Sequence, residues 1–197
     1  IDLPKQAKPN SGRMSCWDKL RRARSFLPWQ MCDNTVMDNN DVLRRIRYAY
    51  DYPDKKMMAL FALGGLEASR AEVSEWLKRD EDPDFRACRD RDLARFLNGL
   101  IIDRRGKREG PPPEPEQRLD NNAIFAKLRI ALSLKTDDIV DILGLAGYIA
   151  STHELSAFFR APDNRRYRVC KDQILRNFLR GLEIEQQDRA DEGPPAG

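Results

Sequence analysis

The sequence predicts an all-α protein built from two tandem four-helix repeats related by pseudo-symmetry. Three observations carry this. The chain matches itself at an offset of 82 residues without a gap: Asp38-Asn39-Asn40 recurs as Asp120-Asn121-Asn122, and Cys88 and Asp90 recur as Cys170 and Asp172. The run Leu93-x-x-Phe96-Leu97-x-Gly99-Leu100 returns as Leu175-x-x-Phe178-Leu179-x-Gly181-Leu182, and 20 of the 65 positions in 38–102 are identical to their partners in 120–184. Such a self-match marks a duplicated supersecondary unit. Within each copy apolar residues recur at helical spacing, and no stretch alternates with the period of two that a half-buried strand shows.

Each copy reads as four helices. The first places Val42, Ile46 and Ala49 on one face, matched by Ile124, Leu128 and Ala131. The second carries Met57, Leu60 and Phe61, matched by Ile139, Ile142 and Leu143. It stops near Gly65 and Gly147, where a left-handed terminator favours glycine. The third opens on Ser69-x-x-Glu72 and Ser151-x-x-Glu154. These are capping boxes, in which hydroxyl and carboxylate satisfy free backbone donors reciprocally. Its apolar face is Val73, Trp76 and Leu77, matched by Leu155, Phe158 and Phe159. The fourth begins at Asp90 and Asp172 and buries Leu93, Phe96, Leu97 and Leu100 with their counterparts.

Repeat 1 therefore spans 37–102 and repeat 2 spans 120–184. Residues 103–119 form a linker whose Pro111-Pro112-Pro113-Glu114-Pro115 run is incompatible with a helix interior. Residues 185–197 read as a frayed acidic tail, and residues 1–36 as a basic N-terminal extension, disordered or non-native.

The 197 residues carry 35 Lys and Arg against 32 Asp and Glu, a formal net charge of +3. Residues 1–36 hold seven bases and three acids, so the remainder of the chain is slightly acidic. Repeat 2 and the linker are the positive parts of that remainder, and the tail is the most negative. Met37 stands directly before repeat 1, which makes it the expected natural start. The alternative is that 1–36 is a genuine basic arm, with Arg21, Arg22, Arg24, Trp17 and Trp29 available to phosphates and bases.

No apolar run approaches the ~20 residues of a membrane span. The opening residues contain no apolar signal region. The four cysteines, Cys16, Cys32, Cys88 and Cys170, have no C-x-x-C spacing, and His153 is the single histidine. Zinc spacing, a glycine-rich phosphate loop and a serine elbow are all absent. The expectation is a cytoplasmic protein with reduced thiols, no cofactor and no metal.

Several of these residues resemble a known family. Asn121-Asn122, Leu128-Arg129-Ile130-Ala131-Leu132-Ser133-Leu134-Lys135-Thr136-Asp137-Asp138-Ile139, Arg160-Ala161-Pro162-Asp163 and Phe178-Leu179-Arg180-Gly181-Leu182 look like the second repeat of the bacterial YehS-like family of unknown function, domain-of-unknown-function family 1456. Phe96-Leu97-Asn98-Gly99-Leu100-Ile101 and Arg104-Arg105-Gly106-Lys107 match its first repeat. The resemblance covers Met37 to about residue 185. It implies the two-repeat fold and brings no activity, cofactor or catalytic residue.

The candidate residues divide between structural and functional readings. Asn39-Asn40 and Asn121-Asn122 read as helix caps, with a paired polar recognition surface as the alternative. Asp90 and Asp172 also read as N-caps, with a symmetric carboxylate pair for acid–base or metal chemistry as the alternative. Cys88 and Cys170 read as core residues, and His153 as a surface residue. The helix–turn–helix likeness of the second and third helices is loose, because the turn is too long and the third helix is poor in Lys and Arg.

The strongest functional candidate is a basic patch: Arg160, Arg165, Arg166, Arg168 and Lys171 in repeat 2, extended by Arg104, Arg105 and Lys107 after repeat 1. The equivalent loop of repeat 1, Lys78-Arg79-Asp80-Glu81-Asp82-Pro83-Asp84, is largely acidic. Two related cores with oppositely charged loops point to a non-enzymatic binding or adaptor module, since loops on a rigid scaffold are where binding resides. The alternative is RNA or DNA binding through the patch, and a third reading is an enzyme using the cleft between repeats. A protein partner, nucleic acid and self-association all stay open, and no membrane is expected.

Overall fold

A computed structural model describes residues 36–107, 110 and 113–191 of the chain. Among these residues there are eight α-helices and no strand. Repeat 1 contains α1 (Asn39–Ala49), α2 (Asp54–Leu63), α3 (Arg70–Leu77) and α4 (Asp90–Arg105). Repeat 2 contains α5 (Asn121–Ala131), α6 (Thr136–Leu145), α7 (Thr152–Phe158) and α8 (Asp172–Asp191). The order matches the all-α, duplicated reading. The basic extension 1–35 and residues 192–197 lie outside the described residues.

Local chemistry repeats along with the sequence. Both predicted capping boxes form: the Ser69 hydroxyl accepts from the Glu72 N–H (3.2 Å) while Glu72 accepts from the Ser69 N–H (3.0 Å), and Ser151 and Glu154 do the same at 3.2 and 3.1 Å. Gly65 and Gly147 have φ of 83° and 78°, the left-handed region expected of them. Between the first and second helices, Asp51 and Ser133 also have positive φ, 46° and 57°. There the Tyr52 N–H reaches back to the Arg47 carbonyl and the Leu134 N–H to the Arg129 carbonyl, both at 3.0 Å. Arg47 and Arg129 then donate from Nε to the carbonyls of Tyr52 (3.1 Å) and Leu134 (3.3 Å). This explains why these arginines persist in both copies.

The last helix of each repeat packs on the second helix of its own copy and on the first helix of the other copy. Thus α4 lies on α2 and α5, and α8 lies on α6 and α1. One apolar cluster runs through both repeats, from Met37 to Leu182. In repeat 1 Phe61 is the aromatic hub, 4.9 Å from Trp76 and 5.1 Å from Phe96. In repeat 2 the hub moves to Phe125 on α5, 4.5 Å from Phe178 and 5.1 Å from Phe159. Each such fully buried ring stabilises the fold by about 1.5–3 kcal/mol through area removed from water.

Glycines let the last helices sit close. A Cβ on Gly99 would overlap the Leu60 carbonyl, and one on Gly181 the Ile142 carbonyl. The two cross-repeat seams differ in charge. Glu183 is buried between α1 and α8, accepting from Arg45 (3.2 Å) and Arg180 (2.9 Å). At the α4–α5 seam Lys127 instead donates to Asn98 (2.6 Å) and pairs with Glu116 (2.8 Å).

Two boundaries differ from expectation. Helix α4 continues to Arg105, into the expected linker. Helix α8 continues to Asp191, so 185–191 is helix and not frayed tail. Arg189 pairs with Glu185 at 2.8 Å, and Gln187 donates to the Tyr48 hydroxyl at 3.2 Å, which holds this last stretch against repeat 1.

Candidate functional site

The polar residues singled out by the repeat sort into a structural frame and one open site. The Asn pairs are not helix caps. The caps are Asp38 and Asp120, whose carboxylates accept from the N–H of Asp41 (2.6 Å) and Ala123 (2.7 Å). Asn40 is buried on α1 and bonds three backbone groups of its repeat. It donates to the carbonyls of Trp76 and Arg86, both at 2.8 Å, and accepts from the Cys88 N–H at 2.9 Å. Asn122 repeats this with Phe158, Arg168 and Cys170, at 2.8 Å each. The loop after the third helix carries no ladder of its own, so the amide substitutes for one.

Asp90 and Asp172 are not caps either. Arg89 is the N-cap residue of α4, without a side-chain bond, and Asp90 is already helical. Asp90 accepts from Asn39 (2.7 Å) and from the Leu119 N–H (3.0 Å), just before α5. Asp172 accepts from Asn121 (2.5 Å) and from the Met37 N–H (3.4 Å), just before α1. Each carboxylate therefore ties its own repeat to the entry of the other, and both are occupied as acceptors. Cys88 and Cys170 are buried free thiols, and burial pushes both up to about 12.

The open site is at the α7–α8 loop. Its backbone is that of the repeat 1 loop. The Asn164 side chain accepts from the Arg166 N–H (2.9 Å) as Asp82 accepts from the Asp84 N–H (3.0 Å). The Arg168 N–H bonds the Ala157 carbonyl (3.2 Å) as the Arg86 N–H bonds the Glu75 carbonyl (3.3 Å). On this shared frame the side chains give opposite results.

In repeat 1 the bases Arg86 and Lys78 are neutralised by neighbouring acids. Arg86 pairs with Glu72 (3.3 Å) and Glu75 (3.6 Å) and lies over the Trp76 ring at 5.9 Å. Lys78 pairs with Asp82 (3.1 Å) and Asp84 (2.5 Å), and its ammonium is held above its ordinary pKa by Asp84 and then Asp82.

In repeat 2, Glu75 is replaced by Ala157, Asp82 by Asn164, Pro83 by Arg165 and Asp84 by Arg166. A cavity of about 260 Å³ opens there, lined by Ala157, Tyr167 and the four arginines 160, 165, 166 and 168. His153 and Glu154 complete the lining. Among the described residues, Arg160, Arg165, Arg166 and Arg168 enter no side-chain hydrogen bond or ion pair. Glu154 is committed to the Ser151 cap, and that backbone bond holds its carboxyl below the usual range.

The predicted patch does not hold together as one surface. Lys171 is exposed beside the pocket in sequence but does not line it. Arg104 donates to the Tyr52 hydroxyl (2.9 Å) and lies 4.9 Å from the Tyr50 ring centre. Arg105 donates to the Ser133 hydroxyl (2.8 Å), and Lys107 is exposed in the linker. Arg104 and Arg105 therefore belong to the turns after α1 and α5. Ala157, Tyr167, His153 and Glu154 also line the cavity and lie outside the predicted patch, although the exchange of Glu75 for Ala157 signals the lost neutralising acid. A second surface hollow, beside Arg47, Asp54 and Arg70, has its arginines tied to Asp54 at 2.8 and 3.0 Å. Among the described residues no three His, Cys, Asp or Glu side chains converge to hold a metal, and no helix is long and apolar enough to cross a membrane.

The duplicated frame has a counterpart among known proteins. The family model described as "Protein of unknown function (DUF1456)" matches residues 39–106 and again 121–187, one match per repeat. The chain belongs to the DUF1456 family. An uncharacterized protein YehS of Escherichia coli (strain K12) is 45% identical over 151 residues, which cover 76% of this chain and 97% of that relative. No solved structure gives a significant match. Each matched range holds the four helices, the Asn–backbone clamp and the loop between the third and fourth helices, whose charge differs between the two copies of this chain.

Proposed function

We propose that this DUF1456 protein is a cytoplasmic, non-enzymatic binding module in which repeat 2 presents the ligand surface and repeat 1 completes the framework. One observation carries the reading. The same loop backbone occurs twice, and only the repeat 2 copy leaves four arginines around a cavity with no carboxylate hydrogen-bonded or ion-paired to them, Glu154 acting on Arg168 only through its field. Unpaired like charges held close together cost stability, so their clustering here is best accounted for by an anionic ligand. The carboxylates that acid–base chemistry would need, Asp90 and Asp172, are instead consumed by backbone N–H groups and asparagines.

The test is an exchange. A variant carrying Ala157→Glu, Asn164→Asp, Arg165→Pro and Arg166→Asp restores the repeat 1 side chains on the repeat 2 loop. Tagged wild-type protein and this variant are used to capture partners from cells, with and without nuclease, and protein, nucleic acid and small molecules are all analysed. The reading expects a partner retained by wild type and lost by the exchange. Identical captures from both proteins would sink it.

Nucleic-acid binding is the second reading. Arg165, Arg166, Arg168 and Lys171 are four exposed bases within seven residues. It expects RNA or DNA affinity that falls steeply with salt and weakens on Ala substitution. Retarded bands absent even at low salt would count against it.

A further inference from the structure

Resting on the binding-module reading, we infer that the repeat 2 pocket binds the phosphate of a small phosphomonoester carrying a hydroxyl-bearing carbon skeleton, such as a sugar phosphate. Four observations select this class. Arg160, Arg165, Arg166 and Arg168 line one cavity with no competing carboxylate bonded to them. Guanidinium forks match tetrahedral oxyanions bidentately, and a dianion draws more from four of them than a carboxylate does.

The cavity holds about 260 Å³, below the roughly 300–1,000 Å³ of sites for drug-sized ligands. It suits a phosphate with a single ring and is too small for a dinucleotide. Its lining is not uniformly cationic. Ala157 is buried and Tyr167 half-buried, so together they give the carbon skeleton apolar surface.

Glu154 gives the site polarity. It stays ionised because the Ser151 N–H and hydroxyl bond its Oε2, at 3.1 and 3.0 Å. A fixed carboxylate repels the phosphate and accepts from a ligand hydroxyl. The phosphate is therefore placed at the arginines and the hydroxyl at Glu154. In repeat 1 the corresponding carboxylate, Glu72, faces Arg86, and Glu75 occupies the space that Ala157 leaves open. The pocket is thus made on an unchanged frame by losing the acids at the Glu75 and Asp82 positions and reversing the charge at the Asp84 position.

The experiment is calorimetric titration of the full chain at low ionic strength with ribose 5-phosphate, inorganic phosphate, ribose and a single-stranded RNA dodecamer. Ribose 5-phosphate is expected to saturate one site, inorganic phosphate to bind more weakly, and ribose not to bind. Ala157→Glu and Arg166→Asp should each weaken ribose 5-phosphate at least tenfold, and Glu75→Ala in repeat 1 should leave it unchanged. Arg166 is exposed, so Arg166→Asp keeps the result independent of any folding defect from Ala157→Glu. Equal affinity in both pocket variants, or no heat with ribose 5-phosphate, overturns the inference. RNA binding lost in Arg166→Asp without any sugar-phosphate binding also overturns it, while leaving the binding-module reading standing. The module reading falls separately, when the loop exchange changes no capture from cells.

Discussion

Gly99 of α4 lies against the Leu60 carbonyl of α2 with no room for a β-carbon between them. Gly181 and Ile142 repeat the contact between α8 and α6. Gly99→Ala or Gly181→Ala forces backbone away from backbone, and overpacking of this kind costs about 1–3 kcal/mol. Urea denaturation should show a lower midpoint for both variants. An unchanged midpoint would mean that the helices are not in this contact.

Asn40 satisfies two carbonyls and one N–H that have no other partner in its loop. Asn40→Leu leaves them buried and unbonded, at about 1–3 kcal/mol per group before relaxation. Asn40→Asp turns an acceptor toward the Trp76 and Arg86 carbonyls, so it destabilises more at neutral pH than at pH 4. Melting curves at the two pH values distinguish these outcomes.

The thiols of Cys88 and Cys170 are pushed up to about 12, first by burial and then by neighbouring aspartates. Their folded pKa lies above the unfolded value of about 8.5. The contribution to stability is therefore complete below that value and lost as pH rises through about 12. Between pH 8 and 11 the wild-type melting temperature should fall more steeply than that of Cys88→Ala/Cys170→Ala. With Cys16 and Cys32 replaced by Ser, a disulfide reagent at pH 8 should react slowly with native protein and quickly in urea.

Asp51 adopts φ of 46°, a left-handed backbone that favours glycine. Asp51→Gly relieves that strain and gives back part of the gain as chain entropy, for a net stabilisation of about 0.5–1 kcal/mol. Asp51→Ala should destabilise. Thermal melts that rank Ala above Gly would contradict the turn geometry.

What was legible in the sequence was local. Helical periodicity, the Ser–Glu boxes and the glycine terminators are fixed by neighbours within four residues, and all appear in the structure. The capping role of the Asn pairs was misread because Asp38, Asn39 and Asn40 are all competent caps. Only the carbonyls of Trp76 and Arg86, distant in sequence, decide between them. Charge at the repeat 2 loop was visible, but concavity was not, since it depends on Ala157 from α7 facing arginines from the following loop. Arg104 looked free in the sequence because its partners, Tyr50 and Tyr52, lie some fifty positions away.

The packing of α1 on α8 and of α5 on α4 has a consequence for how such a chain arose and how it divides. The first helix of each copy packs mainly on the other copy's last helix rather than on its own, and the exchange is mutual. This is the geometry of a two-fold homodimer whose subunits have been joined end to end. A one-repeat chain would reach the same core by pairing with itself, and joining the copies leaves the two loops free to differ in charge. Cleavage within 107–113 should accordingly leave two fragments that stay together, and neither should fold when made alone.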